Sequence, residues 1–377
     1  MKRGITAVAI IVVCLSNMPV EAKIGTLGGK GVVLVEPESM RVLYGINENT
    51  QLPMASTTKI MTAIIALENG NLEDVVTVSA NAAKAPPVDL KLKENEKQYL
   101  GDLLYSLMLQ SHNDTAVAIA EHIGGSVEEF CEMMTTKANE LGAVNTKFET
   151  PNGLDSEQHY STPYDLALIG AYALKNPKFV EIINTPYMNI PTRELEGAGK
   201  HQLQNKNGFL HRMPGANGIK TGFTSKAGYC FVGSATKGNM TLIGVSLGNF
   251  GSAGKERKYT DVKTMIEHGF NNYKMYTLVD KEQILDNIAI KNGKEEEVKL
   301  VAKERVSIPL TADEMEKVTL SITKPDEVDA PVETDLQAAR VDVVLDGQVL
   351  KSAWLYPEKE VEKLSLFERI KKYIDAF

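Results

Sequence analysis

The sequence predicts an α+β domain followed by a small all-β domain, and three features of its patterning support that prediction. Apolar residues recur at helical spacing in the first half of the chain, clearly so in 60–68 and 99–109. The stretch 228–247 reads as consecutive strands around a tight turn. Further on, turns at 292–293 and 346–347 separate runs in which charged residues alternate with Val, Ile and Leu.

The N-terminus has the pattern of an export signal. Lys2 and Arg3 precede the apolar run 5–15, and small residues at 20–22 form a cleavage pattern. We therefore predict a signal peptide over 1–22, the alternative being an uncleaved anchor. Its removal takes away two positive charges and one negative charge, so the formal net charge of −8 becomes −9 in the mature chain. Such a balance gives no sign of a nucleic-acid partner.

The first domain is predicted over 23–275. A hairpin leads to a helix that begins near Ser56 and ends at Asn69-Gly70, where glycine suits a helix C-terminus. The later expected elements are helices at 127–141, 163–174 and about 258–273, and an irregular segment with one hairpin at 187–213. A β domain is predicted over 276–361, and an amphipathic helix over 362–377.

Cysteine and histidine usage restricts the chemistry. Two cysteines remain after removal of the signal, Cys131 in a helical pattern and Cys230 in a strand-like run. Two buried free thiols are the main interpretation, and a disulfide between them is the alternative. The six histidines lack the spacing of a zinc hydrolase, and we predict neither a metal nor another cofactor.

Three short motifs occur in order along the first domain: Ser56-x-x-Lys59, Ser111-x-Asn113 and Lys220-Thr221-Gly222. The first pattern alone is weak, because it recurs at Ser234, Ser252 and Ser321. Only Ser56 opens a long apolar helix, which would bring Lys59 within reach of its hydroxyl one turn later. A serine nucleophile with a lysine base is the chemistry that this geometry favours.

With these motifs the sequence resembles the serine penicillin-recognising enzymes, specifically the D-alanyl-D-alanine carboxypeptidases among the low-molecular-mass penicillin-binding proteins. The resemblance covers nearly the whole mature chain and includes Met54 to Lys59, Asn152 to Asp155, Tyr160 to Thr162, Gly218 to Gly222 and the trailing β domain. It implies a β-lactamase/transpeptidase-like first domain, in which helices flank an antiparallel sheet. It also implies a penicillin-sensitive serine peptidase.

The resemblance implies a role for each catalytic candidate. Ser56 would attack the carbonyl between two terminal D-alanines of a peptidoglycan stem peptide, and Lys59 would accept its proton. Because a free lysine titrates near ~10.4, Lys59 has to be made neutral by burial and by a nearby positive charge, which Lys220 could supply. Ser111 would relay the proton to the leaving amine.

The remaining candidates would bind the substrate. Asn113 would hold a substrate amide, Lys220 and Thr221 would read the terminal carboxylate, and Gly222 would let a strand edge approach the peptide. By resemblance, the oxyanion hole would consist of the backbone N–H groups of Ser56 and Phe223. A further basic residue on the carboxylate is expected at Arg257, with its neighbour Lys258 as the alternative.

Other functions remain open at this stage. A DD-endopeptidase acting on cross-linked peptidoglycan shares the same motifs. A β-lactamase is less favoured, since no Glu-x-x-Leu-Asn segment lies between Asn113 and Lys220. A non-catalytic wall-binding protein is the least favoured. In the tail, Leu366, Phe367 and Ile370 lie on one helical face with basic residues off that face. A membrane-interface helix is therefore the main interpretation, and packing on its own domain the alternative.

The expected partners are therefore peptidoglycan stem peptides, β-lactams as covalent inhibitors, and a membrane surface contacted by the tail. Together these imply an exported protein at the outer face of the cytoplasmic membrane, with a role in cell-wall biogenesis and cell shape.

Overall fold

The computed structural model describes residues 24–191 and 200–374. The predicted signal peptide at 1–22 lies outside the described residues. The strands of the larger domain are β1 (Gly31–Glu36), β2 (Arg41–Ile46), β3 (Val75–Thr77), β4 (Lys97–Tyr99), β5 (Tyr187–Pro191), β6 (Lys200–Gln204), β7 (Ala216–Thr224), β8 (Gly228–Lys237) and β9 (Met240–Asn249). Its helices are α1 (Lys59–Asn69), α2 (Ala80–Ala83), α3 (Leu100–Tyr105), α4 (Asn113–Gly124), α5 (Val127–Glu140), α6 (Pro163–Ala173), α7 (Pro177–Asn184) and α8 (Gly254–Asn272).

A five-stranded antiparallel sheet forms the centre of this domain, in the order β2-β1-β9-β8-β7. Helix α8 covers one face, where Leu34 and Phe231 pack with Val262. The remaining helices cover the other face, on which Val33 and Val245 lie in the main core. Burial on both faces explains why β1 is apolar along nearly its whole length instead of alternating. The predicted α+β class is confirmed.

The helix predicted from Ser56 begins as a single 3-10 turn, Ala55–Thr58, and continues as α1 from Lys59. It ends at Asn69, and Gly70 follows, as the sequence indicated. The irregular segment predicted at 187–213 contains one hairpin, in which β5 pairs with β6. Helix α7 was not anticipated, although Asn176 caps it and Pro177 occupies its first turn.

The β domain contains β10 (Lys274–Val279), β11 (Ile284–Lys291), β12 (Glu297–Ala302), β13 (Val306–Leu310), α9 (Ala312–Met315), β14 (Thr319–Thr323), β15 (Glu327–Asp329), β16 (Ala339–Leu345) and β17 (Gln348–Pro357). Six strands form one sheet in the order β14-β16-β17-β12-β11-β15, while β10 pairs with β13. Both predicted turns are present, since 346–347 joins β16 to β17 and 292–293 follows β11. Arg41 of the larger domain contacts this domain through the carbonyl of Pro309 and the carboxylate of Glu314.

Helix α10 (Leu366–Ile374) follows the β domain. Its apolar side chains are turned to solvent: the exposed fractions are 73% for Leu366, 78% for Phe367, 52% for Ile370 and 65% for Ile374. Across the described ranges, no helix has both the length and the apolar character required to cross a bilayer. The amphipathic character predicted for the tail is therefore present in α10, and these four apolar side chains are exposed.

Candidate active site

Ser56 lies on the 3-10 turn that precedes α1, against the edge strand β7. The residue before it, Ala55, has a φ of +48°, in the left-handed region that costs a non-glycine residue about 1–2 kcal/mol. Glycine at 222 allows the strand to come this close: a Cβ on Gly222 would lie 2.8 Å from the Ser56 nitrogen. The motif glycine therefore brings β7 and the serine turn into backbone contact.

Lys59 is fully buried and directed at Ser56. Its Nζ lies 3.0 Å from Ser56 Oγ, 2.8 Å from Asn113 Oδ1 and 2.5 Å from the carbonyl oxygen of Asn152. Its exposed fraction is 0%. These contacts hold the amine beside the serine hydroxyl: a neutral Nζ donates to Asn113 and Asn152 and can accept from Ser56 Oγ, which is the contact that a general base needs.

Burial lowers the pKa of Lys59 well below its ordinary value, and the positive charge of Lys220 lowers it further. The carboxylate of Asp114 acts in the opposite direction. Both principal causes disfavour the ammonium form, since the low-dielectric interior and a like charge each penalise the positive charge. A neutral amine at this position can accept the proton of Ser56.

Ser111 and Asn113 come from the junction between a π turn at 106–110 and α4. Ser111 has a φ of +68°, and its Oγ is buried without a hydrogen-bond partner among the described residues. Asn113 accepts from Lys59 and donates through Nδ2 to the carbonyl of Pro86 at 2.9 Å. Both polar atoms of the Asn113 amide are therefore bonded to protein, whereas the Ser111 hydroxyl remains available.

The motif Lys220-Thr221-Gly222 lies on β7, which is the last strand of the sheet and, within the described parts of the chain, pairs only with β8. Lys220 is 3% exposed, and its Nζ donates to the carbonyl of Thr221 at 3.0 Å. Burial and the positive charges of Lys258 and Lys206 lower the pKa of Lys220 to about 7. Phe223, next along the strand, is exposed and stacks on Tyr229, with ring centroids 4.3 Å apart.

The two basic residues of α8 considered for the carboxylate, Arg257 and Lys258, have different surroundings. Lys258 is buried, with its Nζ 5.2 Å from the ring centroid of Tyr229 and 4.6 Å from that of Tyr259. Its pKa is lowered to about 8, chiefly by burial. Arg257 is exposed, and its side chain extends along Gly28 on the N-terminal segment. The structure thus brings Lys258, and not Arg257, into electrostatic contact with Lys220.

A family model described as D-alanyl-D-alanine carboxypeptidase, peptidase S11, matches residues 18–251, more than half of the chain. This chain belongs to that family. A second model, described as the C-terminal domain of penicillin-binding protein 5, matches residues 273–363 and so covers the β domain. The predicted family is confirmed, and the chain is a D-alanyl-D-alanine carboxypeptidase, a serine hydrolase.

Relatives match both domains together. The carboxypeptidase is 34% identical to D-alanyl-D-alanine carboxypeptidase DacF of Bacillus subtilis, over 91% of this chain and 88% of the relative. It is 28% identical to DacA of Escherichia coli, over 92% and 87% of the two chains. Among solved structures, penicillin-binding protein 5 from Haemophilus influenzae superposes with a TM-score of 0.78 at 27% identity, covering 90% of this chain and 99% of that one.

Three contributors to the site of the carboxypeptidase were not assigned a role from sequence. The carbonyl of Asn152 accepts from Lys59, and Gly153 packs directly on the peptide bond that precedes Ser56. Both lie in the segment Asn152 to Asp155, which is one of the segments that resemble the family, so the sequence did indicate that this segment matters. Asp114 accepts from the backbone N–H groups of Leu90 and Leu92 and so fixes the 85–95 loop to α4.

Three further residues with reactive side chains, Cys131, Cys230 and His112, are buried in the larger domain. Cys131 and Cys230 are buried free thiols, which agrees with the main interpretation of the cysteines. His112 is buried and its Nδ1 contacts Ser106 Oγ at 2.8 Å. Within 24–191 and 200–374, no group of three or more His, Cys, Asp or Glu side chains could hold a metal ion.

Proposed function

We propose that Ser56 is the nucleophile of this carboxypeptidase and removes the terminal D-alanine of peptidoglycan stem pentapeptides through an acyl-enzyme. The single observation that supports this most strongly is the 3.0 Å contact between the fully buried Lys59 amine and Ser56 Oγ. An amine with a lowered pKa is able to remove the serine proton at neutral pH, which an ordinary lysine is not.

In the proposed reaction, Ser56 Oγ gives its proton to Lys59 Nζ and forms a bond to the carbonyl carbon of the penultimate D-alanine. The resulting oxyanion accepts hydrogen bonds from the backbone N–H groups of Ser56 and Phe223. Lys59 returns the proton through the Ser111 hydroxyl to the leaving nitrogen, and the C–N bond breaks. Supporting this relay, the Ser111 hydroxyl has no partner among the described residues. Water then attacks the ester, with Lys59 again as base, and Ser56 is released.

Substrate binding is proposed to use the free edge of β7. The peptide would pair with the backbone beside Gly222, as an added strand does. Its terminal carboxylate would lie near Lys220, Thr221 and Lys258, because buried cations favour an anionic ligand. Asn113 would contact a substrate amide only by exchanging one of its two protein partners. The sequence predicted Arg257 for this contact. Because Arg257 is exposed while Lys258 is buried near Lys220, we propose that Lys258 binds the carboxylate.

The test is release of D-alanine from a stem pentapeptide. The wild-type protein should release one equivalent of D-alanine per peptide, and Ser56→Ala should release none while keeping its melting temperature. Ser234→Ala is a control, because Ser234 begins another Ser-x-x-Lys copy but is buried within β8. Loss of activity in the control, or retention in Ser56→Ala, would remove the assignment.

The alternative is a DD-endopeptidase with the same nucleophile. Incubation with cross-linked muropeptides separates the two activities, since an endopeptidase converts dimers to monomers without freeing D-alanine. We expect D-alanine from the pentapeptide to appear at a rate at least tenfold above that of dimer cleavage. Cleavage confined to the cross-linked dimers would favour the alternative.

We also propose export of the chain and attachment of the mature protein to a membrane surface through α10. The support is the exposure of apolar side chains on this helix, since Leu366, Phe367, Ile370 and Ile374 are each more than half exposed. Deleting 364–377 should move the protein to the soluble fraction and leave D-alanine release unchanged. A deletion variant that still sediments with membranes would exclude the tail as the anchor.

A further inference from the structure

A chain of hydrogen bonds behind Ser56 connects the 148–160 segment to the serine turn. The backbone N–H of Glu149 donates to His159 Nδ1 at 3.1 Å, and His159 Nε2 lies 2.8 Å from Thr58 Oγ1. Thr58 Oγ1 donates to the carbonyl oxygen of Ala55 at 2.8 Å. His159 is 4% exposed, and Thr58 is 1% exposed. These groups lie away from the bulk solvent, so water does not compete for them.

The direction of each bond in this chain follows from the first one. Because Glu149 donates to Nδ1, that nitrogen carries no proton, and the imidazole proton must lie on Nε2. Nε2 then donates to Thr58 Oγ1, which leaves the threonine hydroxyl proton for Ala55. Burial lowers the pKa of His159 to about 4, so the ring stays neutral at working pH. The threonine hydroxyl therefore has a single donor direction.

The acceptor at the end of the chain belongs to the peptide bond that enters Ser56. A peptide unit is planar, and in its trans form the carbonyl oxygen and the N–H point in opposite directions. The bond that holds Ala55 O consequently also orients the Ser56 N–H, which the proposed mechanism uses as an oxyanion donor. Ala55 is in the left-handed region, where the backbone needs external contacts to keep its conformation.

Two glycines pack directly against the Ala55–Ser56 peptide. A Cβ on Gly153 would lie 2.1 Å from Ala55 O, and a Cβ on Gly222 would lie 2.8 Å from the Ser56 nitrogen. The peptide is thus packed by the 148–160 segment near its oxygen and by β7 near its nitrogen. Steric packing limits its translation, and the hydroxyl of Thr58 adds a directional contact to those of the 3-10 turn itself.

We propose that Thr58 and His159 are positioning residues that hold the Ala55–Ser56 peptide plane, and with it an oxyanion donor, in the orientation required for acylation. This inference rests on the proposed function of Ser56. Removing one oxyanion donor outright costs roughly 10²–10³ in rate, so misorienting a donor should cost somewhat less.

The experiment measures the acylation rate constant with a fluorescent penicillin, and kcat and KM for D-alanine release, on the full mature chain. Thr58→Val keeps the shape of the side chain but removes its hydroxyl. It should slow acylation by about 10–100-fold and lower kcat in parallel, with KM within about threefold of wild type. Thr58→Ser restores the hydroxyl and should recover at least a third of the wild-type rate.

Thr57→Val is the matched control. Thr57 is equally buried and its hydroxyl donates to the carbonyl of Met54 at 2.6 Å, one peptide before the one that enters Ser56. It should lose a similar amount of thermal stability but acylate within about threefold of wild type. His159→Leu, which removes the donor to Thr58, should slow acylation about 3–10-fold and keeps the test available if Thr58→Val fails to fold.

The inference is overturned if folded Thr58→Val acylates within threefold of wild type, or if Thr57→Val is slowed as much as Thr58→Val. If Thr58→Val does not fold, the inference is overturned by a His159→Leu variant that acylates at the wild-type rate. A wild-type protein that is neither labelled nor able to release D-alanine refutes the proposed function instead, so the two failures are distinguishable.

Discussion

The two domains differ most in what they bury. Around Ser56 the larger domain buries lysines, histidines, asparagines and carboxylates, including Lys59, Lys220, His159 and Asp114. In the β domain, among the described residues, Asp342 alone is a buried charged or polar side chain, and its core is otherwise apolar. Burying polar and charged groups costs stability unless each finds a partner. The larger domain carries that cost where the chemistry is proposed, and the β domain avoids it.

Replacing Lys59, the most deeply buried charged group of the larger domain's site, should give the largest effect on rate. Lys59→Met keeps the length of the side chain and removes the amine, so Ser56 loses its proton acceptor. General acid–base groups contribute about 10²–10⁴ in rate, and we expect the penicillin acylation rate to fall by at least about 10³-fold. Stopped-flow labelling measures it. A fall of less than tenfold would mean that Lys59 is not the base.

Replacing Lys220 should separate function from stability. Lys220→Met removes a buried cation, so kcat/KM for D-alanine release should fall about 10–100-fold, as expected for one charge-assisted hydrogen bond. The free energy of unfolding at pH 6.5 should rise by about 0.5–2 kcal/mol, because no charge remains to be desolvated. Chemical denaturation measures the second quantity. A variant that is both slower and less stable would contradict the conclusion that burial of the Lys220 charge costs stability.

The lysine titrations predict a bell-shaped pH profile. The rate should rise with pH as Lys59 loses its proton at a lowered pKa, and fall as Lys220 and Lys258 lose theirs near pKa values of about 7 and about 8. In Lys220→Met the rising limb should move to higher pH, since the like charge that lowers the pKa of Lys59 is gone. A rising limb that stays in place would exclude this coupling.

The lowered pKa of Lys220 also makes the free energy of unfolding depend on pH. The pKa of Lys220 is about 7 in the folded protein against 10.5 ordinarily, so between these values the unfolded chain binds more protons than the folded one. Stability therefore rises with pH across that window, and the full contribution is reached above about 10.5. Denaturant midpoints at pH 7 and 9 should show this rise in wild type and a smaller one in Lys220→Met.

The β domain should respond in the opposite way, with stability changing and rate not. Leu355 is fully buried, and Leu355→Ala should cost about 2–5 kcal/mol of unfolding free energy in that domain. The acylation rate at 20 °C should stay within twofold of wild type. The neighbouring Trp354→Ala, at an exposed position on β17, serves as control and should change stability by less than about 1 kcal/mol. A slowed acylation in Leu355→Ala would show that the domains are coupled.

Local patterning was sufficient for much of the fold. The α1 helix could be predicted because an apolar run begins after Ser56 and ends at Gly70, and the β16–β17 hairpin because Asp346-Gly347 favours a two-residue turn. Helix α7 was missed although Phe179, Ile182 and Ile183 repeat at helical spacing, because eight residues give only about two turns of that pattern. Asn176 and Pro177 were the available cues.

The motif residues of the site could be predicted from the sequence, but the other groups that contact them could not. Ser56 and Lys59 could be proposed because their spacing is local, and Lys220 because the three motifs occur in a specific order. The Asn152 carbonyl could not be assigned, since a backbone oxygen has no residue signature and lies 93 positions from Lys59. The choice between Arg257 and Lys258 depended on which side of α8 faces Lys220, and adjacent residues on a helix point about 100° apart. Only tertiary structure distinguishes them.

The residue to which penicillin becomes attached identifies the nucleophile without further assumptions. Wild-type protein and Ser56→Ala should be incubated with benzylpenicillin, digested, and mapped by mass spectrometry. We predict one adduct per wild-type chain, carried by the peptide that contains Ser56, and no adduct on the variant. An adduct on any other residue, or labelling of Ser56→Ala at the wild-type rate, would mean that the buried polar cluster around Ser56 is not the active site.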